Sequence, residues 1–115
     1  MYKLRINICL IVLLLIICFV SCSRTVPAPS EQQREVYRKE VAPIVAWLEG
    51  ENNERGIYPP SLPVELQANL DGLDAPAKYN AYSDGTAYSI CVGDYRRYEW
   101  EYAYDSHSKG WVFDM

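Results

Sequence analysis

The chain has 115 residues, enough for one domain and too few for two. Its 15 Asp and Glu against 11 Lys and Arg give a net charge of −4, which argues against a nucleic-acid binder or a polybasic membrane-surface protein. A single histidine and four cysteines leave few of the side chains from which catalytic and metal sites are built.

The first element in chain order is a targeting signal, residues 1–21. Lys3 and Arg5 form a positive start, Ile6 to Val20 an apolar core that is unbroken from Ile8, and Val20-Ser21 a small-residue exit. As a helix the apolar run rises only about 20 Å, short of a hydrocarbon layer of about 30 Å, which favours cleavage over a permanent span. The stretch Phe19-Val20-Ser21-Cys22 resembles the lipobox of bacterial lipoproteins, in which a branched and a small residue precede a cysteine that is diacylated and becomes the first residue after cleavage. Phe19 departs from that pattern, where an aliphatic residue such as Leu is usual. Cys18 fits it less well, because Ile17 stands where Gly, Ala or Ser is needed. The resemblance implies lipid on Cys22; one acyl chain anchors only marginally, and a second makes the anchoring lasting. An uncleaved anchor and plain secretion are the alternatives. Ser23 occupies the position where, in the enterobacterial sorting rule, Asp directs inner-membrane retention, so the resemblance implies an outer-membrane lipoprotein facing the periplasm.

Loss of Lys3 and Arg5 with the signal takes the 11 basic residues to nine against 15 acidic ones, a net charge of −6. Cys9 and Cys18 would leave with it and Cys22 would carry lipid, so only Cys91 would remain and no intrachain disulfide could form. Residues 22–29 then read as a lipidated cysteine and a flexible tether. Ser23 to Pro29 has two prolines and no periodicity, and fully extended it would span roughly 20 Å.

The folded domain is expected over residues 30–115. Ser30 followed by Gln33 forms a capping box. Tyr37, Val41, Ile44, Val45 and Leu48 then recur at the spacing of one helical face, which predicts a helix from Ser30 to about Asn52. Glu35 and Lys39 form a favourable pair one turn apart on its charged side. Pro43 removes a helical hydrogen bond and crowds the carbonyl of Lys39, which predicts a kink near Lys39 to Pro43 or two pieces meeting there. Glu49 to Arg55 ends the helix, with Gly56 as the turn residue. A short helix is expected through Leu62, Leu66 and Leu70, and Asp71-Gly72 and Ala75-Pro76 mark the loop beyond it.

From Lys78 the period becomes two, and strands are predicted over Lys78–Tyr82, Thr86–Val92, Tyr98–Tyr104 and Trp111–Asp114, with Ser83-Asp84-Gly85 as a hairpin turn. Alternation puts Tyr98, Trp100, Tyr102 and Tyr104 on one face of the third strand and Glu99, Glu101 and Ala103 on the other. The expected architecture is α+β: one N-terminal helix packed on a four-stranded antiparallel meander. In a domain with few Leu and Phe, Tyr98, Trp100 and Tyr102 are expected to pack against Ile44, Val45 and Leu48. An open aromatic platform for a glycan or small ligand is the alternative. Cys91, on an alternating strand, reads as a small buried hydrophobe; a reactive thiol would need a base or cation beside it, and His107 lies in a turn.

The order of these features resembles the globular domain of type II secretion pseudopilins and related type IV pilin-like proteins. A helix ending near Trp47-Leu48 is followed by Gly56-Ile57-Tyr58-Pro59-Pro60-Ser61-Leu62, and the meander carries Tyr82-Ser83-Asp84-Gly85-Thr86-Ala87-Tyr88-Ser89-Ile90. The resemblance covers about Tyr37 to Trp111. A lipobox signal stands where that family has its hydrophobic assembly helix, so the resemblance implies a pilin-like domain that does not polymerise through one. The Asp-Pro-Trp-Gly stretch of the secretion pseudopilins is missing between Asp71 and Tyr79, so their calcium loop does not carry over. Asp71, Asp74 and Asp94 have no recognisable metal-ligand spacing, and no metal or other cofactor is expected.

No nucleophile–base pattern, zinc motif or phosphate-binding glycine loop is present, and the lone Glu99/Glu101 pair has no second element to form a cleft. The expected function is therefore contact and not catalysis: a membrane-anchored domain with an envelope protein partner, binding neither nucleic acid nor a small-molecule substrate. Contact is expected through the outer sheet face or the Asp94–Glu99 loop, with Asp94, Arg96, Arg97 and Glu99 as candidate interaction residues.

Overall fold

The computed structural model describes residues 26–115; the signal, the lipobox with Cys22, and Ser23 to Thr25 of the expected tether lie outside the described residues. Helix α1, Glu31–Arg55, begins where the capping box places it. The Ser30 Oγ accepts the Gln33 N–H at 3.2 Å, while the Gln33 side chain accepts the Ser30 N–H at 2.8 Å. It continues through Pro43 as one 25-residue element and not as two pieces. Lys39 and Pro43 both lie on the exposed side, which leaves the unpartnered Lys39 carbonyl to water. Burial of Val41, Ile44 and Leu48 on the opposite face holds the helix across the defect, whose cost in a helix interior is about 3 kcal/mol. Gly56 closes α1 by donating its N–H to the Asn52 carbonyl.

A second helix, α2 (Val64–Asp71), follows the Pro59-Pro60 segment and buries Leu70. The chain then forms β1 (Ala77–Ala81), β2 (Tyr88–Asp94), a single helical turn α3 (Tyr95–Tyr98), β3 (Trp100–Asp105) and β4 (Gly110–Asp114). The four strands lie in the order β1-β2-β3-β4, all antiparallel. Ala77, Val92, Tyr102 and Phe113 form one cross-strand row, and Tyr79, Ile90, Tyr104 and Trp111 the next. Both rows face the helices. The opposite face carries Lys78, Cys91, Ala103 and Val112 in register.

The third strand begins later than its alternation predicts. Asp94 accepts the Arg96 N–H through its side chain and starts α3, and Glu99 ends that turn at φ 64°, a left-handed conformation that breaks the strand period. Tyr98 and Glu99 therefore stand outside β3, and only Glu101 of the expected acidic pair is on the strand. Gly93, just before this turn, has φ 85°, and a Cβ there would lie 2.5 Å from the Trp100 ring.

The core forms two clusters, and they divide the aromatic face differently from the expectation. Val41, Ile44 and Leu48 of α1 pack with Tyr58, Leu70, Tyr88, Ile90 and Tyr104. Trp100 and Tyr102 pack instead with Tyr37, Ala75 and Val92 near the start of α1. The helix therefore crosses the sheet with its first turns over the β3–β4 side. Arg38 reinforces that end by donating to the Tyr102 hydroxyl at 2.7 Å, and the Arg34 guanidinium lies 4.5 Å over the Phe113 ring.

Candidate contact surfaces

Four sheet aromatics are buried: Tyr88 is 0%, Trp100 2%, Tyr102 5% and Tyr104 8% exposed. Trp111 covers the last two from the edge, with ring centroids 4.5 Å from Tyr102 and 5.7 Å from Tyr104. These aromatics thus form core, with Trp111 and Phe113 half-buried at the edge strand. The outward face of the sheet is small and polar, carrying Ser89, Cys91, Ala103 and Glu101, with Val112 at the edge strand. Cys91 is half-buried on this outward face and not the core hydrophobe its strand position suggested; partial burial, and behind it the Glu101 carboxylate, pushes its thiol up, which keeps it protonated and poorly nucleophilic at neutral pH. His107 lies in the β3–β4 turn against Tyr82, ring centroids 6.4 Å apart.

The candidate interaction residues come together at one end of the sheet. Asp94, Arg96, Arg97 and Glu99 are all exposed, the two arginines within α3 and the two acids at its ends. Beside them Tyr98 stacks on Trp100 at a centroid distance of 6.4 Å, with the Arg97 guanidinium 5.6 Å from the Tyr98 ring. Sequence reasoning missed the final member of this end. Trp100 donates its indole N–H to the carbonyl of Val26 at 3.0 Å, and Pro29 is buried, so residues 26–29 lie against the domain. A segment with two prolines and no periodicity carries no pattern that could announce such a contact.

A concavity of ≈ 400 Å³ lies between α1 and α2 and includes Val36, Tyr37, Glu40, Asn69 and Asp74. The Tyr37 hydroxyl donates to Asp74, and Gln33 Nε2 donates to the other carboxylate oxygen at 3.3 Å. Burial and then the Asp74 hydrogen bond raise the Tyr37 hydroxyl far above its ordinary range, so it stays a donor. Asp71 accepts from Gln67, and Asp94 caps α3. The three aspartates weighed as oxygen ligands are thus separately engaged, and among the described residues no three His, Cys, Asp or Glu side chains converge on one point.

The two short motifs of the pilin-like resemblance meet in space. The Tyr58 N–H donates to the Gly85 carbonyl at 2.9 Å, the Tyr58 ring packs edge-on against Tyr88 at 4.7 Å, and the Tyr79 hydroxyl donates to the Pro59 carbonyl at 2.6 Å. Comparison with protein-family models, with curated proteins and with solved structures finds no match for this chain.

Proposed function

We propose that this chain is an exported lipoprotein, anchored through Cys22 in the outer membrane and facing the periplasm, whose pilin-like domain works by contact with an envelope protein and not by catalysis. In this reading it serves a secretion or pilus system without entering a fibre. The observation that carries the pilin-like part is the interlock of the Gly56–Leu62 turn with the Tyr82–Ile90 hairpin, centred on the Tyr58–Gly85 hydrogen bond. The contact part is supported by the use of the aromatic face as core. Two surfaces are then left for partners: the small-residue outer face of the sheet, and the end carrying Asp94, Arg96, Arg97 and Glu99.

Intact mass of the membrane-extracted protein tests the anchor: the expected species lacks residues 1–21 and carries diacylglycerol, and a mature chain retaining Lys3 refutes it. Ala103→Arg tests the sheet face. It should abolish capture of the envelope proteins that the parent retains while leaving the unfolding midpoint unchanged; equal capture by both would remove that face from the proposal.

A further inference from the structure

Val26, where the chain enters the described domain, is pinned by the Trp100 indole N–H on its carbonyl and packs beside the Trp100 cluster. Around this point of entry is an open cleft of ≈ 830 Å³ whose walls include Val26, Pro27, Tyr95, Arg96, Tyr98 and Met115. Tyr95 is 50% and Met115 71% exposed on its walls. Arg96 and Arg97 stand in the same turn, and neither is ion-paired among the described residues. Asp94, Glu99 and Asp114 lie at this end too, so both signs of charge are present around the apolar centre.

We propose that, of the two surfaces left for partners, this end of the domain seats on the headgroup layer of a phosphatidylethanolamine bilayer and leaves the outer sheet face to the envelope protein, an orientation that rests on the anchoring of Cys22. Cys22 precedes Val26 by four residues, and four residues reach at most about 14 Å when fully extended. Acyl chains on Cys22 hold its backbone at the membrane interface, so Val26 cannot rise further than that from the lipid. The surface around Val26 is therefore the surface that meets the bilayer. The antiparallel register puts the β1–β2 and β3–β4 loops at the opposite end, pointing away. The chemistry fits the position. Tyr side chains favour the level where an apolar ring and a wet hydroxyl are both satisfied. Arg guanidinium groups match lipid phosphates, and Asp94, Glu99 and Asp114 match the ammonium groups of the same zwitterionic headgroups. Salt screens these exposed pairs but not the apolar contacts of the Tyr95 ring, so seating should weaken only in part as ionic strength rises.

The test uses the full chain in phosphatidylethanolamine-rich vesicles whose lipids carry bromine near the headgroup. Tyr95→Trp and, separately, Val112→Trp place a reporter on an exposed site at the proposed seat and on the outer sheet face; unfolding midpoints verify both folds, and emission of the parent is subtracted. Quenching at Tyr95→Trp should exceed that at Val112→Trp several-fold and fall only in part with added salt. Adding Arg96→Glu with Arg97→Glu should remove most of the excess. Equal quenching at the two sites, or more at Val112→Trp, overturns the seating. Intact mass of the same preparation reports separately on the anchor: an acylated chain without the excess refutes the seating alone, while a chain retaining residues 1–21 with the excess refutes only the lipid anchor.

Discussion

Tyr58 and Gly85 are joined by a 2.9 Å backbone hydrogen bond that fastens the turn after α1 to the loop between β1 and β2. The loop is built to allow that approach. Asp84 accepts from both the Thr86 N–H and its hydroxyl, which tightens the turn, and Gly85 adopts φ 71°. A Cβ at Gly85 would fall 2.9 Å from Ile57 Cβ and 3.2 Å from the Tyr58 carbonyl oxygen. Gly85→Ala should therefore cost about 2–4 kcal/mol from left-handed strain and overpacking together. Equilibrium denaturation measures it; a change under about 0.5 kcal/mol, as at an ordinary surface site, would show that the two segments are not locked.

Leu48 is fully buried on α1, in contact with the cluster that contains Tyr88 and Tyr104. Leu48→Ala should lower stability by about 2–5 kcal/mol, the usual range for a buried Leu. Chemical denaturation of the variant, with the slope compared to the parent, checks the value.

The Tyr88 hydroxyl offers a contrast with its neighbour Tyr58. Tyr104 is close enough to act on Tyr88 electrostatically, yet among the described residues no group meets the buried Tyr88 hydroxyl at hydrogen-bonding geometry. The Tyr58 hydroxyl donates to Glu49 at 3.1 Å. Tyr88→Phe should consequently leave stability equal or higher, whereas Tyr58→Phe should lose about 1 kcal/mol. A Tyr88→Phe loss greater than that of Tyr58→Phe would reveal a partner, such as a bound water, on the Tyr88 hydroxyl.

Alkaline pH should unfold this domain through its tyrosines. Burial is the leading cause that raises Tyr37, Tyr58, Tyr79, Tyr88 and Tyr104, with Tyr79 pushed up to about 12. In the unfolded chain the same groups lose their protons near pH 10. The unfolded state thus binds fewer protons above that value, and stability, complete below about pH 10, falls as the pH rises through the folded range. Tyrosinate absorbance and near-ultraviolet circular dichroism should change together; ionisation of these rings with the dichroism intact would contradict their burial.

Local signals made much of this architecture legible. Ser30 and Gln33 announced the start of α1, the spacing of Tyr37, Val41, Ile44 and Leu48 its buried face, and the period-two stretches the four strands. What failed depended on distant parts of the chain. Alternation placed Tyr98 on a strand because nothing local marks Glu99, a non-glycine residue at positive φ, as the end of a helical turn. The pairing of Trp100 and Tyr102 with Tyr37 and not with Ile44 follows from the angle at which α1 crosses the sheet. Period fixes which face is buried but not what lies opposite. The candidate interaction residues were readable as an exposed charged turn. Their proximity to Val26, carried by one hydrogen bond across 74 positions, was not.

The strand order β1-β2-β3-β4 has a kinetic consequence. Every strand pairs with its neighbour in the chain, so the sheet can grow by closing one short loop at a time, at small entropic cost per step. The wide closures fall to α1, whose contacts Tyr37–Asp74 and Arg38–Tyr102 bridge 37 and 64 positions. Substitutions within the hairpins and substitutions at the helix–sheet junction should therefore separate on a chevron plot, because they act on loop closures of different length.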